Sequence, residues 1–202
     1  MKIPDHPSVR AGWAAGVAAA YGLLLGAAAW LLYDPPARYL ASAPLCLLRW
    51  DVVAESLSRA GGGVDTLGAW LAQGDSRGWL GAAAFGCMAA WVSLATWLVW
   101  RRLGGRPSGV VGVPGLLLLV LYGQPHVPVM AVAVAVNLAL SALLVWVALR
   151  RRSRPAWLAL FAVLAGLLWY GAGALACLLF LVLGGLFAWR GARDGRPKVP
   201  TT

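Results

Sequence analysis

The chain has 202 residues, of which 61% are hydrophobic and 12% are charged. Soluble domains are about 45–50% apolar and about 25% charged, and a soluble fold of this length could not cover so much apolar surface. The composition therefore excludes an ordinary soluble domain and predicts a protein whose partner is the lipid bilayer. The formal net charge is +10, but the basic residues form short clusters between long uncharged blocks, which argues against nucleic acid as a partner.

Two uncharged blocks, residues 11–32 and 79–100, have the length of a single membrane crossing. Each contains about 22 residues, and a helix of that length reaches roughly 33 Å, against a hydrocarbon core of about 30 Å. Both blocks are therefore predicted to be transmembrane helices.

The segment between them, residues 33–78, is polar and is predicted to be a small helical loop outside the membrane core. It begins with prolines that stop the first helix, and residues 45–59 are expected to form a helix in which Glu55 and Arg59 pair across one turn. A second short helix is expected to end near Gln73. The apolar side chains of this segment fit either an element lying on the membrane surface or a small solvated cap.

Two further uncharged blocks, residues 110–149 and 156–189, are too long for one crossing each, since their helices would reach about 60 Å and about 51 Å. Each is therefore predicted to fold back as a hairpin, the first at its two prolines near His126 and the second at the glycines around residue 172. The predicted fold is an all-α, polytopic transmembrane bundle of about six spans in one membrane domain, residues 1–202. The predicted spans are 11–32, 79–100, 110–123, 127–149, 156–170 and 173–189.

The distribution of Lys and Arg predicts the orientation of this bundle. With both hairpins in place, 13 basic residues lie on one side and only Arg38, Arg49, Arg59 and Arg77 lie on the other. Because basic residues stay on the cytoplasmic side of short loops, both chain ends are expected in the cytoplasm and residues 33–78 outside it. The predicted location is the inner membrane, as a multi-pass protein. Cleavage of a signal peptide after Ala43 is the alternative, and it would leave five spans.

Small residues recur every four positions on the first two predicted spans, which is the spacing that brings them to one helix face. Such faces allow close approach of helix backbones. They could therefore serve the packing of span one against span two, or they could bind another membrane subunit. The residues of this face are Gly12, Gly16, Gly22, Gly26, Ala82, Gly86 and Ala90.

Two polar residues are the remaining candidates for a site. Asn137 is the strongly polar side chain deep within a span, where it is expected either to bond a neighbouring helix or to contact a substrate. His126 lies between two prolines at the predicted outer corner of the first hairpin, where it is a weak candidate for a proton acceptor or ligand.

The predicted spans contain no Asp, Glu, Lys or Arg, which argues against an ion-driven carrier and against buried acid–base catalysis. No hydrolase, phosphate-loop or zinc motif occurs, and Cys46, Cys87 and Cys177 lack the spacing of a metal site or disulfide framework. We therefore expect no catalytic residue, cofactor or metal. The leading hypothesis is a non-enzymatic subunit that binds other membrane proteins in a complex for assembly, secretion or transport.

Two alternatives stay open. One is a small permease or substrate-binding membrane subunit for a neutral or apolar solute. In size and span count the chain is similar to the substrate-binding subunits of energy-coupling-factor transporters, which also dock through small residues. A cavity that reaches Asn137 would favour this function. The other alternative is a membrane enzyme with an outward-facing site near His126.

Overall fold

A computed structural model describes residues 7–33, 50–102, 109–124, 127–149 and 154–194. Within these ranges the chain is helical and contains no strand. Short 3₁₀ turns, Gln73–Arg77 and Gly109–Gly112, precede two of the helices. The helices, numbered along the chain, are α1 (Pro7–Leu32), α2 (Trp50–Leu57), α3 (Gly62–Ala72), α4 (Trp79–Arg102), α5 (Val113–Tyr122), α6 (Val129–Ala148) and α7 (Arg154–Asp194).

Four apolar stretches are long enough to cross a membrane: Gly12–Leu32 in α1, α4, α6, and Pro155–Trp189 in α7. The apolar helix α5 is shorter. Many large apolar side chains point away from the bundle, including Leu23, which is 76% exposed, and Leu31, which is 80% exposed. Exposed apolar surface on this scale fits a membrane protein. The number of spans and the side on which the ends lie stay predictions.

Helix α7 reverses its direction at Gly173. This residue has φ 80° and ψ −177°, a conformation that glycine adopts without a steric penalty. Phe161 and Phe180 stack with ring centroids 4.8 Å apart, whereas a straight helix would separate them by roughly 28 Å. The element is therefore a helical hairpin with an N-terminal arm, residues 154–172, and a C-terminal arm, residues 174–194. Each arm has about 20 residues and reaches about 30 Å.

The centre of the bundle lies on α4 and α6, and α1 lies at its edge. In the most apolar stretch of each helix, 61% of the α6 residues are buried, against 28% in α1. The core is filled with large side chains from helices α4 to α7. Helix α1 contacts mainly α4 and, to a smaller extent, α5. The largest fully buried side chains are Trp146, Tyr122, Phe85, Phe180, Leu143, Val92 and Val129.

The described part of the segment between the first two long helices, residues 50–77, packs against the bundle. Gly61, in the left-handed conformation with φ 86°, donates its N–H to the Tyr170 carbonyl at 2.8 Å, next to the α7 corner. Further along, α3 crosses the start of α6 so closely that a methyl group on Gly68 would lie 2.6 Å from the Ala131 Cα. The segment is therefore anchored to α6 and α7, while Leu67 on its other side is half-exposed.

The ion pair expected between Glu55 and Arg59 is confirmed, with Nη2 and Oε1 2.6 Å apart. Both side chains are about 70% exposed, so the pair contributes little to stability. It stabilises α2 locally, and the contacts of Gly61 and Gly68 hold the segment in place.

Candidate functional site

The small residues of α1 and α4 meet where the two helices cross. A methyl group on Gly22 would lie 2.5 Å from both the Ala90 Cβ and the Gly86 carbonyl oxygen, and one on Gly86 would lie 2.7 Å from the Gly22 carbonyl oxygen. Gly26 approaches Ala82 in the same way, since a methyl group on Gly26 would lie 2.9 Å from the Ala82 carbonyl oxygen. A methyl group could not be accommodated at such distances, so the glycines are required here. These five residues bring the two backbones into direct contact.

A groove of about 500 Å³ runs along one flank of this crossing. We call it the glycine groove. Its floor is formed by the small residues of the crossing, and Trp30 and Trp79, which are 57% and 62% exposed, stand at one end. Cys87 is exposed within it. The lining residues are Ala19, Gly22, Leu23, Gly26, Ala27, Trp30, Trp79, Ala82, Ala83, Gly86, Cys87 and Ala90.

The other two glycines of the predicted face do not take part in the crossing. A methyl group added to Gly12 or Gly16 would have no neighbouring atom within 4 Å, and both residues are exposed. Residues 12, 16 and 20 are spaced by four and therefore follow one stripe of α1. The small residues of α1 thus fall into a set that packs on α4 and a set that faces outward.

Asn137 lies in the contact between α6 and α4. Its Nδ2 donates to the Met88 carbonyl at 3.5 Å and lies 3.3 Å from the Met88 sulfur. Its Oδ1 has no hydrogen-bond partner within the described ranges. One turn further along, the Trp91 indole donates to Ser141 Oγ at 3.2 Å. Asn137 is thus part of a polar link between two helices, and it does not line the glycine groove.

His126 lies outside the described residues, as does Cys46. Cys177 is buried in α7, away from Cys87 in the glycine groove. Across the part of the chain that the structure describes, no three His, Cys, Asp or Glu side chains come together as a possible metal site.

Asp75 lies in the segment between the first two long helices, and the structure buries it. Asp75 is 3% exposed and accepts a 2.9 Å hydrogen bond from the Tyr122 hydroxyl at the end of α5. A methyl group on Gly81 would overlap the Asp75 carboxylate, so the glycine leaves room for it against α4. The position of Asp75 just before α4, where a helix favours negative charge, was the available signal.

Tyr122 also joins Asp75 to the end of α1. Its ring lies 4.7 Å from Phe85 and 6.1 Å from Tyr33, centroid to centroid. Tyr33 in turn packs on Gly123. This cluster holds α1, α4 and α5 in register at the end of the bundle where the glycine groove has its tryptophans.

The chain was compared with models of protein families, with curated proteins and with solved structures. A family model described as "Family of unknown function (DUF6057)" matches residues 10–196. No curated protein matches the chain, and no solved structure matches it.

Proposed function

The chain belongs to the DUF6057 family of unknown function, and we propose that it is a non-enzymatic subunit of a larger membrane complex that works in assembly, secretion or transport. In this proposal a transmembrane helix of another subunit lies in the glycine groove. The observation that carries it is a concave, apolar groove with a floor of glycine and alanine on the outside of the bundle.

The outward-facing residues of α1 support a protein partner. Gly12, Gly16, Ala19, Ala20 and Ala27 are exposed, although they are small. Lipid-facing positions favour Leu, Ile, Val and Phe, because these residues contribute most to insertion. Small residues contribute little there, but they allow a second helix to approach closely.

The exposed face of α7 provides the contrast. Its outward positions include the large aliphatic side chains Leu158, Val163 and Leu167, which are between 57% and 65% exposed, beside small residues such as Ala162. The large aliphatic residues are those expected at a surface covered by lipid chains. On α1, the small exposed residues Ala19 and Ala27 line the glycine groove, and this concave surface supports a partner helix at that flank of α1.

The filled interior supports a binding subunit over a permease. Phe85, Tyr122, Leu143, Trp146 and Phe180 occupy the centre of the bundle and are almost completely buried. A cavity that reaches Asn137 from the bundle interior would favour a permease for a neutral solute. Asn137 instead packs on Met88.

Crosslinking from the groove tests this function. In a variant whose other cysteines are replaced by serine, Cys87 can be labelled with a photoreactive group in native membranes. We expect one adduct, whose crosslinked peptide comes from an apolar transmembrane segment of a different protein. The same protein should co-purify with the unlabelled wild-type chain in mild detergent.

A matched pair of substitutions controls this experiment. Ala83→Phe fills the groove and should abolish both the adduct and co-purification, whereas Ala162→Phe adds the same ring to an exposed position on α7 and should change neither. Adducts with lipid alone, adducts with a second copy of this chain, or equal behaviour of the two variants would each contradict the proposal.

A further inference from the structure

A second cavity, of about 410 Å³, lies on the opposite flank of the α1–α4 crossing, toward the end of α4 that carries its arginines. We call it the Trp97 cavity. Trp13, Val17 and Tyr21 of α1 form one wall, and Ser93 and Trp97 of α4 form another. The 3₁₀ turn before α5 closes it at Gly112. Its size falls within the range of small-molecule binding sites.

The lining of the Trp97 cavity is suited to a hydrocarbon chain. Trp13, Val17, Leu94 and Trp97 present apolar surface. The Tyr21 hydroxyl donates to the Gly112 carbonyl at 2.7 Å, so it already has a hydrogen-bond acceptor within the protein. A buried Ser93 Oγ has no hydrogen-bond partner within the described ranges, and it is a small polar group in an otherwise apolar wall.

A positively charged side chain lies next to a wall residue of the cavity. The Arg101 guanidinium lies over the Trp97 ring, 5.3 Å from its centroid, which fixes the charge beside the cavity by a cation–π contact. Arg102 follows it, and both arginines are exposed. The α4 sequence contains no acidic residue that could neutralise them. Guanidinium groups bind phosphate oxygens with two parallel hydrogen bonds.

From this arrangement we propose that the Trp97 cavity binds one anionic phospholipid from the leaflet that Arg101 faces. One acyl chain lies between α1 and α4 against Trp13, Val17 and Leu94, and the phosphate pairs with Arg101. An apolar cavity of limited size with a guanidinium held against its Trp97 wall matches a molecule that has a hydrocarbon chain joined to a phosphate.

The helical geometry of α4 provides an internal control. Ser93, Trp97 and Arg101 are spaced by four residues and follow one face of the helix. Arg102 is rotated by about 100° from Arg101, so it points away from that face. The two neighbouring arginines have the same charge and are both exposed, but only Arg101 follows the helix face of Ser93 and Trp97.

Native mass spectrometry of the full chain in detergent tests the proposal, with phosphatidylglycerol and phosphatidylcholine of identical chains as probes. We expect one phosphatidylglycerol to be retained at activation energies that remove phosphatidylcholine. Arg101→Gln should lower its affinity about fivefold, the effect of one basic residue near a lipid surface. Arg102→Gln should have a much smaller effect.

A third variant tests the role of the acyl chain. Val17→Trp, at a half-exposed position of the wall, should block the chain and weaken retention of phosphatidylglycerol without changing the helical circular dichroism. Inorganic phosphate at millimolar concentration should not displace the lipid. Equal retention of the two lipids, equal effects of the two arginine variants, displacement by phosphate, or full binding by Val17→Trp would each overturn the proposal.

Discussion

Two pairs of neighbouring helices in this molecule are packed together in opposite ways. Where α1 crosses α4, side chains are missing and the backbones touch at Gly22 and Gly86. Where α6 meets α7, large rings fill the space, with Trp146 and Trp157 stacked 4.1 Å apart and Phe161 4.8 Å from Trp146. Lipid provides no hydrophobic force that would drive helices together, so both contacts depend on van der Waals packing. We expect substitution by a larger residue to disrupt the first contact, and substitution by a smaller residue to disrupt the second.

Trp146→Ala should have the largest effect. Trp146 is 2% exposed and contacts Trp157, Phe161, Phe180 and Phe187, so its removal leaves a large cavity. We expect a loss of about 3–5 kcal/mol in the free energy of unfolding. Unfolding in detergent, followed by circular dichroism, measures it. A loss below about 1 kcal/mol would show that the rings do not hold α6 to α7.

Gly86→Leu tests the other contact. Its side chain would meet the Gly22 carbonyl oxygen and the Gly26 Cα, so the helices must separate, at a cost of about 1–3 kcal/mol. The control is Gly16→Leu, on the open side of α1, which should change the stability of the isolated protein by less than about 0.5 kcal/mol. The same assay applies, and equal effects of the two substitutions would contradict a contact made by the backbones.

Trp157→Phe should have the smallest effect. It distinguishes the contribution of ring stacking from that of the hydrogen bond. Each indole of the Trp146–Trp157 pair donates to the other residue's carbonyl, at 3.2 Å and 3.1 Å. Phenylalanine keeps a ring for stacking but removes the donor to Trp146, so we expect a loss of about 1 kcal/mol. A loss as large as that of Trp146→Ala would mean that the hydrogen bonds, and not the rings, stabilise the contact.

Local patterns in the sequence predict the helical character, and they give the close approach of the first two long helices as one of two uses of the small residues. Runs without charge and residues repeated every four positions can be recognised without knowledge of neighbours. The same patterns could not separate Gly22, which packs on α4, from Gly16, which faces outward. Both have the same spacing, and the difference between them depends on where α4 lies.

The polar and aromatic contacts were harder to predict, because they join distant parts of the chain. Tyr122 and Trp146 lie near the ends of predicted spans, a position typical of aromatic residues at the membrane surface, but both are buried among other rings. Asp75 lies 47 residues from the Tyr122 that donates to it. A residue's position near the end of a span indicates its depth in the membrane, but not whether it faces lipid or protein.

The attachment of residues 57–61 to the α7 corner has a consequence for biosynthesis. Tyr170 donates its hydroxyl to the Leu57 carbonyl, and the two residues are 113 positions apart. At about 5–20 residues per second, a ribosome needs roughly 6–20 s to make the intervening chain. Until then Gly61 has no Tyr170 carbonyl to bond. Docking of residues 57–61 on Tyr170 is therefore a late event, which becomes possible only after the N-terminal arm of α7 has been synthesised.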